Sequence, residues 1–127
     1  MSVFSRAKNL LPAIIWAIFI FLGSSVPGAD VSANKTVNFV AHKSIHIIEY
    51  GIFYIFLIKG LGKKKISFSL GVLYAISDEF HQKFVFGRQG KISDILIDIV
   101  GLIVGYIFVW NLKQTPLKRL KNFLKLY

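Results

Sequence analysis

Apolar residues gather in four stretches along the chain, roughly Leu10 to Val26, Ile45 to Ile58, Ile66 to Ile76 and Ile95 to Leu112. A helix needs about 20 such residues to cross a bilayer unaided, and only the last stretch approaches that length. The second and third get there by taking in their polar ends. Ile45 to Ile58 must run back through His42, and Ile66 to Ile76 forward through Gln82. The pattern therefore predicts four helices with polar groups at membrane depth, where ionisable side chains are costly and usually functional.

Helical periodicity then sorts those polar groups into faces. His42, His46 and Glu49, spaced i, i+4, i+7, line one stripe of the second helix, with Tyr50 and Phe53 adjacent. Two histidines and a carboxylate in that spacing can bind a divalent metal or relay protons, and spacing alone does not choose. On the third helix Asp78, His81 and Gln82 share a face, while Glu79 projects about 100° away. Two adjacent acids in an apolar setting call for a nearby cation, and Arg88 is the natural candidate. Its guanidinium can fork onto a carboxylate or onto a phosphate. Asp94, Asp98, Gly101 and Gly105 form the stripe of the fourth helix. Gly101-Leu-Ile-Val-Gly105 is a GxxxG motif that lets helix backbones approach closely, and beside two acids it predicts an inward-packed face. Asp94 suits a helix cap, whereas Asp98 lies one turn deeper. Ser24 and Ser25 before Pro27 read as helix termination.

Composition fixes the setting. The 127 residues are 54% hydrophobic, with a mean hydropathy of +0.59, which suits one membrane domain. With no cysteine, disulfides and thiolate metal sites are excluded. A net charge of +10 would suggest nucleic acid in a soluble chain, but no Walker-type loop, nucleophile elbow or basic-aromatic pattern accompanies it. Topology absorbs the charge instead. With the N-terminus inside, Arg6, Lys8, Lys59, Lys63, Lys64, Lys65 and every basic residue from Lys113 onward face the cytoplasm, leaving only Lys35, Lys43, Lys83, Arg88 and Lys91 outside. All six acids fall in the outer half or outer loops.

Arg6 and Lys8 ahead of an apolar run also fit a signal peptide, although no clean small-x-small cleavage site follows. After Pro116, apolar Leu117, Leu120, Leu124 and Tyr127 oppose Lys118, Arg119, Lys121 and Lys125, the pattern of a basic interfacial helix. The domain reading is a transmembrane unit over 1–112 and a basic amphipathic cytoplasmic tail over 113–127.

Taken in order, these residues resemble the VanZ-like membrane proteins. The pattern is a first helix ending in Ser24, Ser25 and Pro27, then Lys43, His46 and Tyr50, then Glu79, Gln82 and Arg88. Asp94 and Asp98 then open a helix bearing Gly101 and Gly105, so the match covers about residues 10 to 110. One departure is Phe86, where a proline often precedes the Gly-Arg pair. The resemblance implies a small bacterial integral membrane protein with a four-helix core. The family is named for a member linked to resistance to teicoplanin, a phenotype rather than a reaction.

The expectation is thus an all-α, multi-pass cell-membrane four-helix bundle with both termini cytoplasmic. Its outward-facing polar pocket would take the headgroup of a membrane lipid or lipid-linked cell-wall precursor, with a link to envelope homeostasis or glycopeptide tolerance. Arg88, Lys43, Gln82 and Tyr50 are the headgroup-binding candidates. The alternative is an intramembrane headgroup hydrolase or transferase drawing on His46, Glu49, Asp78, Glu79 or His81. Proton-coupled transport also suits intramembrane acids, but four short helices leave little room for a pathway. No cofactor, metal centre or nucleic-acid partner is assigned.

Overall fold

A computed structural model of the chain describes residues 3–27, 33–88 and 90–114, with side chains over 8–27, 33–88 and 90–112. Of the basic tail expected over 113–127, residues 113 and 114 continue the last helix and the rest lies outside the described residues. Four helices make up the fold: α1 (Val3–Ser24), α2 (Lys35–Leu61), α3 (Lys64–Gln82) and α4 (Ile92–Gln114). The extensions through His42 and Gln82 are both present, and α2 starts earlier still. Asn34 sets that start, its side-chain oxygen accepting from the N–H groups of Thr36 and Val37 at 2.9 and 3.4 Å. At the other end Gly62 adopts φ 68°, a left-handed cap whose N–H donates to the Ile58 carbonyl at 2.9 Å. That tight cap turns the chain directly into α3.

The connections alternate direction, so α2 and α4 run parallel while α1 and α3 run the other way. Trp16 on α1 donates its indole N–H to the carbonyl of Glu49 at 2.9 Å, and Gly60 lies against Leu10. The most extensive helix contact is α2 on α4, whereas α1 and α3 meet chiefly through side chains. Glycine makes this central seam possible. A Cβ on Gly101 would stand 2.7 Å from the Ile47 carbonyl oxygen, and one on Gly105 would stand 2.5 Å from that of Gly51. The GxxxG face is therefore packed inward as its spacing predicts, with Tyr50 and Tyr54 flanking the contact.

Polarity is arranged the opposite way to a water-soluble bundle. Ser24, Asp78, Glu79, Gln82 and Asp98 are buried at one end of the bundle. Ile14, Ile18, Leu22, Ile48, Leu73, Ile76, Phe80, Leu96 and Val104 are exposed on the outside of all four helices. Two helices, Lys35–Leu61 and Ile92–Leu112, are long and apolar enough to cross a membrane, and Lys8–Ser24 is a shorter apolar helix.

Candidate functional site

The polar end lies where α1 and α3 finish and α2 and α4 begin. Each of these ends contributes a side chain to a connected network. Ser24 donates its hydroxyl to Asp78 Oδ1 at 2.6 Å, joining α1 to α3. The Gln82 amide, one turn on, donates to Asp78 Oδ2 at 3.0 Å and to Glu79 Oε1 at 3.2 Å. The positions i+4 from Asp78 and i+3 from Glu79 coincide at Gln82, so one amide can serve two acids that point apart. Across the bundle, His46 Nδ1 lies 2.8 Å from Asp98 Oδ1. Asp98 is fully buried, and its other oxygen, Oδ2, has no hydrogen-bond partner among the described residues. Nearer the surface, Lys43 pairs with Asp94, which also accepts from the Ser93 hydroxyl at 3.1 Å.

The loop between α3 and α4 closes over this network. Gly87 turns with φ 77°, and the Arg88 N–H donates to the Val85 carbonyl at 3.1 Å. The turn thus forms with Phe86 in place of proline, and Phe86 itself points outward. Gly90 is required for a close approach, since a Cβ there would sit 2.3 Å from the Glu79 carbonyl oxygen. That approach brings the Lys91 N–H to 3.0 Å from Glu79 Oε2. Glu79 is thereby held at both carboxylate oxygens.

Arg88 differs from the expectation. Rather than pairing with Asp78 or Glu79, its Nε–H donates to the Val26 carbonyl at 2.9 Å and its Nη2–H to the Gly23 carbonyl at 2.8 Å. Those carbonyls lie at the C-terminal end of α1, where backbone acceptors lack intrahelical partners and the helix dipole favours a cation. A guanidinium carries five N–H donors, and among the described residues these two contacts leave the rest of the fork unused.

Two adjoining cavities open beside the network, both lined by His42, His46 and Arg88. One, of about 390 Å³, adds Lys43, Gln82, Lys91 and Asp94. The other, of about 280 Å³, adds Ser24, Glu49 and Asp78. A larger groove of about 520 Å³ at the opposite end is lined by Lys64, Lys65, Phe68, Ser69, Ile103 and Tyr106. It contains none of the acids or histidines, so size does not identify the site here; the convergent polar groups do.

Several sequence-predicted residues are brought together and others are not. His46, Glu79 and Asp98 converge from three helices, each offering a donor atom within 4.8 Å of the others. Glu49 shares a helical stripe with His46 but faces the smaller cavity, toward Ile20 and Gly23 of α1. His81 turns to α1 as well, its Nε2 at 3.1 Å from the Ser25 hydroxyl and its ring stacked on Phe21 at 4.4 Å. Tyr50, expected at the headgroup, is fully buried against Gly101 and lines neither cavity. Bulk explains this, because the ring fills the space beside the glycine notch. Two contributors escaped the spacing argument. Ser24 reads as helix termination yet anchors Asp78, and Lys91 reads only as an outer charge yet contributes its backbone N–H.

No curated protein and no solved structure shows significant similarity to the chain. A family model, described as VanZ/LLP1, matches residues 9–114. That span contains all four helix bodies and every residue of the network, and the chain belongs to the VanZ/LLP1 family.

Proposed function

We propose that the chain is a multi-pass cell-membrane protein with both termini cytoplasmic, whose polar end binds a phosphate-bearing headgroup at the outer face. The apolar exterior of all four helices supports the membrane setting, because such a surface suits lipid contact and not water. At the other end Lys64 lies 4.3 Å over the Trp110 ring, the pairing of cation and aromatic that membrane interfaces favour.

The observation that carries the headgroup reading is the larger of the two polar cavities. His42, Lys43, Arg88 and Lys91 all line it. Carbonyl contacts hold the Arg88 fork in place, and its unused N–H groups can meet a phosphate without reorganisation. Acceptors for a hydroxyl or ammonium come from Asp94 in the same cavity and from Glu49 and Asp78 in its neighbour. A lipid-linked wall precursor or a phospholipid would present this chemistry, which fits a role in envelope homeostasis or glycopeptide tolerance.

Arg88→Ala removes a charge-assisted contact of about 1.5–3 kcal/mol, so phosphate-lipid retention should fall about tenfold or more. Lipid mass spectrometry on wild-type and variant protein, purified at equal expression, measures this. Unchanged lipid content in the variant would remove Arg88 from the site.

One observation favours a second reading, an intramembrane hydrolase or transferase acting on the same headgroup. A histidine oriented by a buried carboxylate, as His46 is by Asp98, is the arrangement a general base uses. No turnover on a panel of phospholipids and polyprenyl phosphates would discard it.

A further inference from the structure

The buried acids have, among the described residues, no permanently charged partner, since His46 on Asp98 is charged only when protonated. Among the described residues Lys43 is committed to Asp94, Arg88 to the α1 carbonyls, and no lysine or arginine forms an ion pair with Asp78, Glu79 or Asp98. Carboxylates in such surroundings require a proton or a cation. Asp78 is held by Ser24 and Gln82. Glu79, held by Gln82 and the Lys91 N–H, also faces His46, as does Asp98.

We infer that His46, Glu79 and Asp98 form a binding site for a first-row divalent cation such as Zn²⁺ or Mn²⁺. One imidazole nitrogen and two carboxylate oxygens, from α2, α3 and α4, lie within 4.8 Å of one another. Ligands on a metal with bonds of about 2.0–2.2 Å stand roughly 3–3.6 Å apart, so small side-chain movements close the set. His46 Nδ1 and Asp98 Oδ1, at 2.8 Å, are already near that spacing. The independent observation is Asp98 Oδ2, fully buried and unpartnered in this cluster. A bare carboxylate oxygen is expensive in such a place, and a cation satisfies it.

The surroundings fit the same purpose. Glu79 is oriented by Gln82 and by the Lys91 N–H, the outer-shell hydrogen bonding that metal-ligating carboxylates ordinarily have. His46 lines both polar cavities, which provides a path for the ion and for water to complete its shell. The imidazole favours zinc over magnesium or calcium, and the two carboxylates also admit manganese. The site stands whichever headgroup the neighbouring cavity takes.

The test is metal content after the untagged, detergent-purified protein is equilibrated with Zn²⁺ or Mn²⁺ and desalted. Wild type should retain about one ion per chain. Asp98→Asn and Glu79→Gln should each lose most of it, while Glu49→Gln, which alters a carboxylate outside the cluster, should keep it. Zinc-edge X-ray absorption on wild type checks the ligands without any variant, and should report one imidazole with an otherwise oxygen shell. Wild type that holds no ion, full retention in Asp98→Asn, or a shell without imidazole would each overturn the assignment.

Discussion

Gly105→Val should separate α2 from α4 and leave little folded protein. The added Cβ would stand 2.5 Å from the Gly51 carbonyl oxygen and 3.1 Å from Tyr54 Cβ. Both neighbours are part of the most extensive helix contact in the bundle, and backbone cannot swing aside as a flexible side chain does. Overpacking of a well-filled core costs about 1–3 kcal/mol when side chains can adjust, and a clash with backbone belongs at or above the top of that range. The expected result is a large drop in detergent-solubilised yield and in the midpoint of thermal unfolding. Gly23→Ala is a suitable control, because a Cβ there meets nothing within 4 Å. Equal yields and midpoints for the two variants would mean that α2 and α4 do not meet along this seam.

Asp78→Ala is expected to give the second largest loss. Ser24 and Gln82 would lose a buried acceptor, and each unsatisfied buried donor costs about 1–3 kcal/mol. Gln82 would retain Glu79 and Ser24 the Phe21 carbonyl at 3.0 Å, so the total should be about 1–3 kcal/mol. The effect should also reach α1, because Asp78 is the α3 group that Ser24 holds. Asp78→Asn keeps the shape and one acceptor oxygen, and should cost clearly less. Denaturant or thermal unfolding in micelles, followed by helical circular dichroism, compares the two. Ala and Asn variants of equal stability would show that the carboxylate's hydrogen bonds contribute nothing.

Much of the fold can be read from the pattern of apolar residues because a bilayer sets the length of a crossing helix. The inward extensions through His42 and Gln82 follow from that requirement alone. The inward face of α4 follows from Gly101 and Gly105, whose lack of side chains has no use on a lipid-facing surface. The site was legible only in part. Spacing on α3 separates Glu79 from Asp78 and His81, as found, but groups Gln82 with those two, whereas its amide bridges Asp78 and Glu79. Periodicity along a single helix does not say which helix stands opposite. His46 and Glu49 share a stripe, yet His46 bonds to Asp98 of α4 and lines both cavities, while Glu49 lines only the smaller one.

Arg88 illustrates a different difficulty. Charge complementarity points it at the nearest acids, but helix ends carry acceptors that no side-chain pattern reveals. The carbonyls of Gly23 and Val26 are such acceptors. An arginine satisfied by backbone oxygens keeps its full positive charge available, whereas one paired to a carboxylate does not. This difference strengthens the case for an anion in the polar cavity beside Arg88.

Native mass spectrometry of the wild-type protein tests that case most directly. The protein would be mixed with equal amounts of phosphatidylglycerol, a polyprenyl phosphate and a diacylglycerol of matched chains. If the polar cavity binds phosphate, one phosphate-bearing lipid should remain on each chain under conditions that strip the diacylglycerol, and Arg88→Ala should abolish the difference. Retention of diacylglycerol as strong as that of the phosphate lipids would contradict a phosphate-binding site at the polar end of this bundle.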